Sequence, residues 1–356
     1  MKIALSGYYG FDNAGDEALL SAITSSIKKR SPEAEFVVFS GAPHRTADLH
    51  GIPAVHYMKP LQIIHELSSS DLLISGGGSI FQDVTSARSL PYYISVVALA
   101  KMLRKPVIFY AQGVGPINRW FSKFLMRLVA NRVDLITLRD EASRNYLIHL
   151  GVQRPPMRVT ADPVFSLEPT QREEDKIIML LKEKNPERKP LIGVAVRHWK
   201  PLDGYQQELA QVLDDFAERG YGILFIPMAY PEDIDASRQV MQQMKRGAQI
   251  IDQYLNSREH LALISQLELM IAMRLHALIF AASRGVSFAG ISYDPKINAF
   301  LDLFELQPLA ASYQEMKCQL GELLSDERLQ QRISERSVHM REMSEKNAIL
   351  ALSLIK

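Results

Sequence analysis

Short apolar runs that end in glycine or a charged residue, each followed by a stretch of helical periodicity, recur along most of the chain. That alternation limits the fold more than any other feature. Residues 2–6, 35–40, 54–57, 71–75, 107–112 and 134–138 read as strands, with helices predicted near 18–29, 61–67 and 141–151. Strands separated by helices run parallel, which predicts a doubly wound sheet. The alternation restarts at 191–196 and supplies strands at 222–227, 249–252, 267–272 and 286–291. A chain of 356 residues exceeds one ordinary core, so two domains are expected. We place them at 1–168 and 176–325, on either side of a polar, proline-containing stretch read as a linker or an exposed helix start. A helical tail over 326–356 follows; Leu329, Ile333, Val338, Met340 and Leu350 give it an apolar stripe for packing back on the body. The expected fold class is α/β, one Rossmann-like domain followed by another.

In such sheets ligands bind beyond the carboxyl ends of the strands. The run 267–272 leads into Arg274, Leu275 and His276, and the run 286–291 leads to Lys296. Arginine offers a bidentate fork to carboxylate or phosphate, lysine a point charge, and histidine a proton near neutral pH. A helix opening at Arg274 adds backbone N–H groups and a positive dipole end. Together they suit a small, multiply charged anion that needs acid–base chemistry.

The first half carries loops of the same kind. The run from Gly7 to Glu17 is glycine-rich but is neither Gly-x-Gly-x-x-Gly nor a Walker loop, which weakens a nucleotide reading. Its Asn13, Asp16 and Glu17 suit sugar hydroxyls, although the two acids equally fit the first turn of a helix. Gly76, Gly77 and Gly78 end a strand and mark close approach by a ligand or a neighbouring loop. Gln112-Gly113-Val114-Gly115-Pro116 opens on the same edge. Arg139 directly follows a strand, either as a fourth cation or as an ion-pair partner of Asp140 or Glu141.

Net charge of +1 gives no global attraction to nucleic acid. Cys318 is the sole cysteine, so no disulfide framework or thiolate metal site exists, and no convincing metal-ligand cluster is seen. The first residues lack a signal-peptide pattern, and the longest apolar run, near 90–100, is too short to span a bilayer. A cytoplasmic protein is expected. One segment stands apart: Arg119, Lys123 and Arg127 are spaced i, i+4, i+8, beside a stripe of Trp120, Phe124 and Leu128. It reads either as a sheet-packing helix with a solvated basic face or as a peripheral contact with the inner face of the cell membrane.

Six motifs in order resemble the polysaccharide pyruvyl transferase family, nearest its bacterial CsaB type. They are Gly7-Tyr8-Tyr9-Gly10 with Asn13 and Gly15-Asp16-Glu17-Ala18, then Gly76-Gly77-Gly78, then Gln112 to Pro116. Arg139-Asp140-Glu141 with Ser143, Asp162-Pro163, and Arg274-Leu275-His276-Ala277 complete the set. The resemblance covers roughly residues 1 to 310. It implies a GT-B-like pair of Rossmann domains facing across a cleft, with phosphoenolpyruvate mainly on the C-terminal side and a sugar acceptor on the N-terminal side. It also implies a pyruvate 4,6-ketal on a β-ManNAc residue of a lipid-linked ManNAc–GlcNAc disaccharide, a precursor of a secondary cell-wall polymer that anchors S-layer proteins.

By the same resemblance His276, Arg274, Lys296 and Arg139 are the catalytic set, and Arg139, Arg274, Leu275 and Lys296 bind the donor. Asn13, Asp16, Glu17, Gly77 and Gly78 face the acceptor. Phosphoenolpyruvate is a co-substrate, and neither cofactor nor metal is expected. Two other readings stay open: a nucleotide-sugar glycosyltransferase of the same plan, for which Trp199 and Glu259 are unsupported by spacing, and a non-catalytic sugar-binding protein.

Overall fold

The structure, a computed structural model, describes residues 1–83, 89–199 and 205–355. It divides into two compact units: Met1–Leu167 with Met340–Lys356, and Glu168–His339.

The first unit is built on strands β1 (Lys2–Tyr9), β2 (Glu35–Ser40), β3 (Ala54–His56), β4 (Leu72–Gly76), β5 (Val107–Gln112), β6 (Leu135–Leu138) and β7 (Met157–Val159). Every pairing is parallel, in the order β3-β2-β1-β4-β5-β6-β7. Helices α1 (Ala14–Lys28), α2 (Pro43–His50), α3 (Pro60–Ser69), α4 (Ser89–Met102), α5 (Trp120–Ala130) and α6 (Glu141–His149) connect them. The central strands are apolar on both faces because both are covered: Ile3, Ala4, Leu5, Leu73 and Ile74 are fully buried.

The second unit repeats the plan with α7 (Gln171–Lys184), β8 (Leu191–Ala195), α8 (Tyr205–Glu218), β9 (Gly222–Phe225), α9 (Glu232–Met241), β10 (Gln249–Ile250) and α10 (Ser257–Ile264). It continues through β11 (Leu269–Ala272), α11 (Leu275–Ser283), β12 (Ser287–Gly290), α12 (Pro295–Asp302) and α13 (Tyr313–Ser325). Its order is β10-β9-β8-β11-β12, again parallel. In both sheets the winding reverses beside the first strand, between β1 and β4 and between β8 and β11. Such reversals open the ligand crevice of a doubly wound sheet.

Three local details go beyond the expectations. The stretch 168–175 is mostly a helix start: Thr170 caps α7 in a capping box with Glu173. β7 was not anticipated, being only three residues long. The tail is not a unit of its own. It is largely one helix, α14 (Glu327–Leu352), whose early turns belong to the second unit and whose later turns belong to the first. Leu329 and Ile333 are buried as expected, but Val338 is 59% exposed. The inward face continues instead through Ser337, Ser344, Asn347, Ala348 and Ala351. These are small or hydrogen-bonded residues: Asn347 accepts from Thr160 Oγ1 at 2.8 Å and donates to the Ala161 carbonyl at 3.1 Å. Among the described residues no helix is long and apolar enough to cross a membrane.

Candidate functional site

In the first unit the motif residues hold one another. Arg139, at the end of β6, is 9% exposed; it donates to Asp162 Oδ2 at 3.2 Å and to Ser79 Oγ at 2.8 Å. Asp140 Oδ2 lies 3.8 Å from its Nε, a weaker version of the anticipated pairing. A Cβ on Gly113 would come within 2.5 Å of the Arg139 Nε, so that glycine makes room for the guanidinium. The Gly113 N–H donates to the Gly78 carbonyl at 2.9 Å, and Ser143 Oγ accepts from the Val114 N–H at 2.9 Å. Asp140 caps α6 through the Ser143 N–H, and Asp162 Oδ1 accepts from the Val164 N–H. Asp162 belongs to a separate sequence motif, and the fold makes it a partner of Arg139.

The acceptor candidates separate into kinds. Asn13 caps α1, its Oδ1 accepting from the Gly15 N–H at 3.0 Å. Glu17 is buried, with one oxygen on the Gly10 N–H and the other on His50 Nε2, both at 2.7 Å. Gly77 and Gly78 have φ of +81°, and a Cβ on Gly77 would strike Leu19 of α1 at 2.8 Å. Close helix packing therefore explains Gly77. Asp16 is half-buried beside Gly78.

The same edge carries an aromatic group that sequence reading missed. Tyr8 and Phe11 stack in parallel, 4.3 Å between centroids, and are 42% and 40% exposed. Tyr57 meets Phe11 edge-on at 5.8 Å and Tyr92 at 5.4 Å. An open pair of stacked rings is the kind of surface that an apolar sugar face can cover.

In the second unit the strand register aligns the candidate residues. Ala272 pairs with Ala195 on one side and Gly290 on the other. The residues following this row come from β8 (Arg197), β11 (Arg274) and β12 (Tyr293, then Lys296), and β8 and β11 flank the reversal of winding. Arg274 sits at the N-cap of α11, half-buried, gripping Asp233 with Nε–Oδ2 at 3.0 Å and a second bond from Nη2 to Oδ1. Burial pulls its pKa down, but the Asp233 carboxylate outweighs that and holds it above the ordinary arginine value. Asp233 itself is 1% exposed and also accepts the Met228 and Ala229 N–H groups.

Arg274 gives α11 no side-chain cap, whereas Asp294 caps α12 through the Lys296 N–H at 3.0 Å. Lys296 Nζ lies 3.2 Å from Asp294 Oδ2. Leu275 is buried, and His276, in the first turn of α11, is half-buried with its ring 6.5 Å from Phe280.

Arg197 is the cation whose role the sequence did not reveal. It donates to Tyr293 Oη at 3.1 Å and lies over the rings of Tyr293 and Trp199, 5.4 and 5.8 Å from their centroids. Its Nε is buried without a hydrogen-bond partner among the described residues. Tyr293 also acts on Arg274, so the two arginines share one neighbourhood. Trp199 packs on Tyr293 at 4.8 Å. Glu259, the other residue weighed for a nucleotide, is spent on structure: it completes the α10 capping box and binds Lys176 at 2.6 Å. No group of three or more His, Cys, Asp or Glu side chains placed to hold a metal occurs among the described residues.

Two parallel, doubly wound sheets with charged loops at their carboxyl edges define a GT-B-like protein. The chain belongs to the polysaccharide pyruvyl transferase family, whose sequence model matches residues 13–295. It is 23% identical over 275 residues to the amylovoran biosynthesis protein AmsJ of Erwinia amylovora, covering 72% of this chain and 64% of that relative's length.

Solved structures of similar fold include UDP-GlcNAc 2-epimerase from Neisseria meningitidis bound to UDP-GlcNAc, at TM-score 0.70 and 13% identity, covering 99% of this chain and 100% of the other. S. aureus MnaA with UDP aligns at TM-score 0.66 and 13% identity, with 97% and 94% coverage. Anabaena HepE with UDP-glucose aligns at 0.62 and 15%, with 100% and 98% coverage. At these identities the likeness is one of fold.

Proposed function

We propose that the protein transfers the pyruvyl unit of phosphoenolpyruvate onto a sugar of a lipid-linked cell-wall precursor and releases phosphate. The single observation that carries this reading is the aligned edge of the second sheet. There an uncapped helix N-terminus, Arg274, His276 and Lys296 follow adjacent strands in a chain of this family. Phosphoenolpyruvate carries a carboxylate and a phosphate a few ångströms apart, a charge pattern for two or three separate cations. Arg274 and Lys296 are assigned to the donor, Leu275 presents the start of α11 to it, and Arg197 joins them. Arg139, already held by Asp162 and Ser79, is assigned to ordering the loops of the first unit.

His276 is the proposed general acid. It protonates the methylene carbon, which becomes the ketal methyl group, and one sugar hydroxyl attacks the resulting oxocarbenium carbon while losing its proton to a base. A second hydroxyl then displaces phosphate from the same carbon, its proton leaving with the phosphate. Asp16, in the first turn of α1, is assigned as that base, while Glu17 beside it holds the Gly10 N–H and His50. The open Tyr8–Phe11 stack supports a sugar on the first unit. The acceptor we assign is β-ManNAc of a ManNAc–GlcNAc-diphospho-lipid, and the product its 4,6-ketal, in a polymer that anchors S-layer proteins. The commitment of Glu259 to a helix cap removes one candidate ribose carboxylate for a nucleotide donor.

The test is phosphate release from phosphoenolpyruvate with and without synthetic β-ManNAc-(1→4)-GlcNAc-diphospho-lipid. We expect release only with acceptor, accompanied by a mass gain on the sugar equal to one pyruvyl ketal. Absence of release, together with turnover of a nucleotide sugar, would overturn the donor assignment.

A further inference from the structure

We propose that α5 and the groove at its far end form a docking surface for an anionic lipid bilayer. The helix buries Ser122, Met126, Val129 and Ala130 against the first sheet. That inventory fixes which face is free, and it is the more apolar one. Trp120 is 78% exposed, Phe121 50%, Phe124 54% and Leu128 40%. Isolated exposed apolar side chains are ordinary on a soluble protein, but four large ones on little more than two helical turns form a contiguous patch. A helix that only packed on its sheet would turn these residues inward and leave small or polar ones outside.

Charge selects the occupant. Residues 117–133 contain Arg119, Lys123, Arg127 and Arg132 and no acidic residue. Arg127 and Arg132 line a groove of about 430 Å³ with Phe124, Leu128, Asn131, Gly151, Gln153 and a fifth cation, Arg154. None of the groove's lining residues is acidic, and Lys123, Arg127, Arg132 and Arg154 form no ion pair among the described residues. Asn131 holds the groove in shape: its amide donates to the Arg127 and Gly151 carbonyls, while its oxygen accepts the Gln153 and Arg154 N–H groups. Gly151 leaves just enough room for the Arg127 side chain, whose Nε would lie 3.0 Å from a Cβ there.

Aromatic rings interleaved with unpaired cations match the boundary of an anionic leaflet, where rings enter the headgroup layer and cations meet phosphate. A protein partner that covered this face would need carboxylates opposite five cations. A second copy of the chain would place like charges together. The surface is rigidly mounted, since Asp83 accepts the Asn118 and Arg119 N–H groups at 2.8 and 2.9 Å just before α5 begins. The same end of α5 follows the Gly113–Pro116 loop, so docking would bring the acceptor-side loops of the first unit to the membrane surface. The proposal does not depend on which sugar is modified.

The experiment is flotation of the full chain with vesicles of phosphatidylcholine alone or with about one-third phosphatidylglycerol, at 0.1 M and 1 M salt. We expect binding to anionic vesicles only, and its loss at high salt, because exposed charges are screened beyond about 3 Å at 1 M. Changing Arg119, Lys123 and Arg127 together to Glu should reduce the bound fraction about tenfold or more, whereas changing both arginines to Lys should preserve it. Phe124→Ser should weaken binding without removing its salt dependence. In a Trp199→Phe background, Trp120 emission should shift to the blue on anionic vesicles. Circular dichroism of each variant separates lost docking from lost folding.

Equal flotation of the wild type and the triple Glu protein would overturn the proposal. So would self-association that Phe124→Ser abolishes in the absence of lipid, since the face would then serve a second copy.

Discussion

The two sheets carry motif residues at equivalent edges, yet they use them differently. In the first unit Arg139 is enclosed by Asp162, Ser79 and the space left by Gly113, and Asn13, Asp140 and Asp162 each complete a helix or turn start. Nearly every motif side chain there answers another. In the second unit Arg274 is also paired, but it stands where a capping side chain would stand and provides no cap. Neighbouring Arg197 keeps a buried Nε without a partner among the described residues. Motif residues at equivalent edges therefore differ in how far the protein itself engages them, and residue type alone does not reveal the difference.

The strongest way to break this comparison is His276→Ala. We expect turnover to fall about 10²–10⁴-fold with donor binding largely kept, as for loss of a general acid; rate and donor affinity measured on one preparation decide it. Next comes Arg274→Ala, which strands the buried Asp233 carboxylate. Destabilisation of about 3–5 kcal/mol is expected together with loss of donor affinity. The double variant Arg274→Ala with Asp233→Ala should recover stability in a denaturant titration without recovering turnover, which separates the structural half of the pair from the ligand half.

Arg139→Ala sharpens the contrast from the other side. It should cost stability in the same range, while donor affinity changes less than for Arg274→Ala; an equal loss of donor affinity would return Arg139 to the donor set.

The smallest expected effect is one of pH. His260 of α10 is buried; burial pushes its pKa below the ordinary 6.5, more than the Pro227 and Asn256 carbonyls and Glu259 pull it up. A lowered folded value means that the unfolded chain binds the proton more readily, so this stabilisation is full above about 6.5 and shrinks as pH falls below it. The protection factors of α10 amides, which compare observed exchange with the intrinsic rate at each pH, should fall between pH 7.5 and 5.5, and His260→Gln should flatten that dependence.

The elements and the repetition of one α/β plan were legible because apolar runs and helical periodicity are local signals. The strand order was not, and with it went the row Ala195–Ala272–Gly290 that gives Arg197 its meaning. Asp233 was equally hidden. It lies in the first turn of α9 beside Glu232, where acids are favoured by the helix dipole alone. Glu17 looked like a first-turn acid or a sugar ligand, and only the fold brings His50 to it, 33 residues away. Capping by Asn13 follows from local spacing and could have been read from the position of the helix start.

The helix that passes from the second unit back to the first has a consequence for synthesis. Ala348 and Ala351 complete the cluster formed by Ile3, Leu5, Ile23, Val38 and Ile74. All seven strands of the first sheet have left the ribosome once Leu167 has, but the residues that seal this face follow more than 170 positions later. At the usual 5–20 residues per second, that is a delay of roughly 10–40 s. Through that interval helix α1 covers this cluster only in part, so the earliest half of the protein is made long before its packing can be finished.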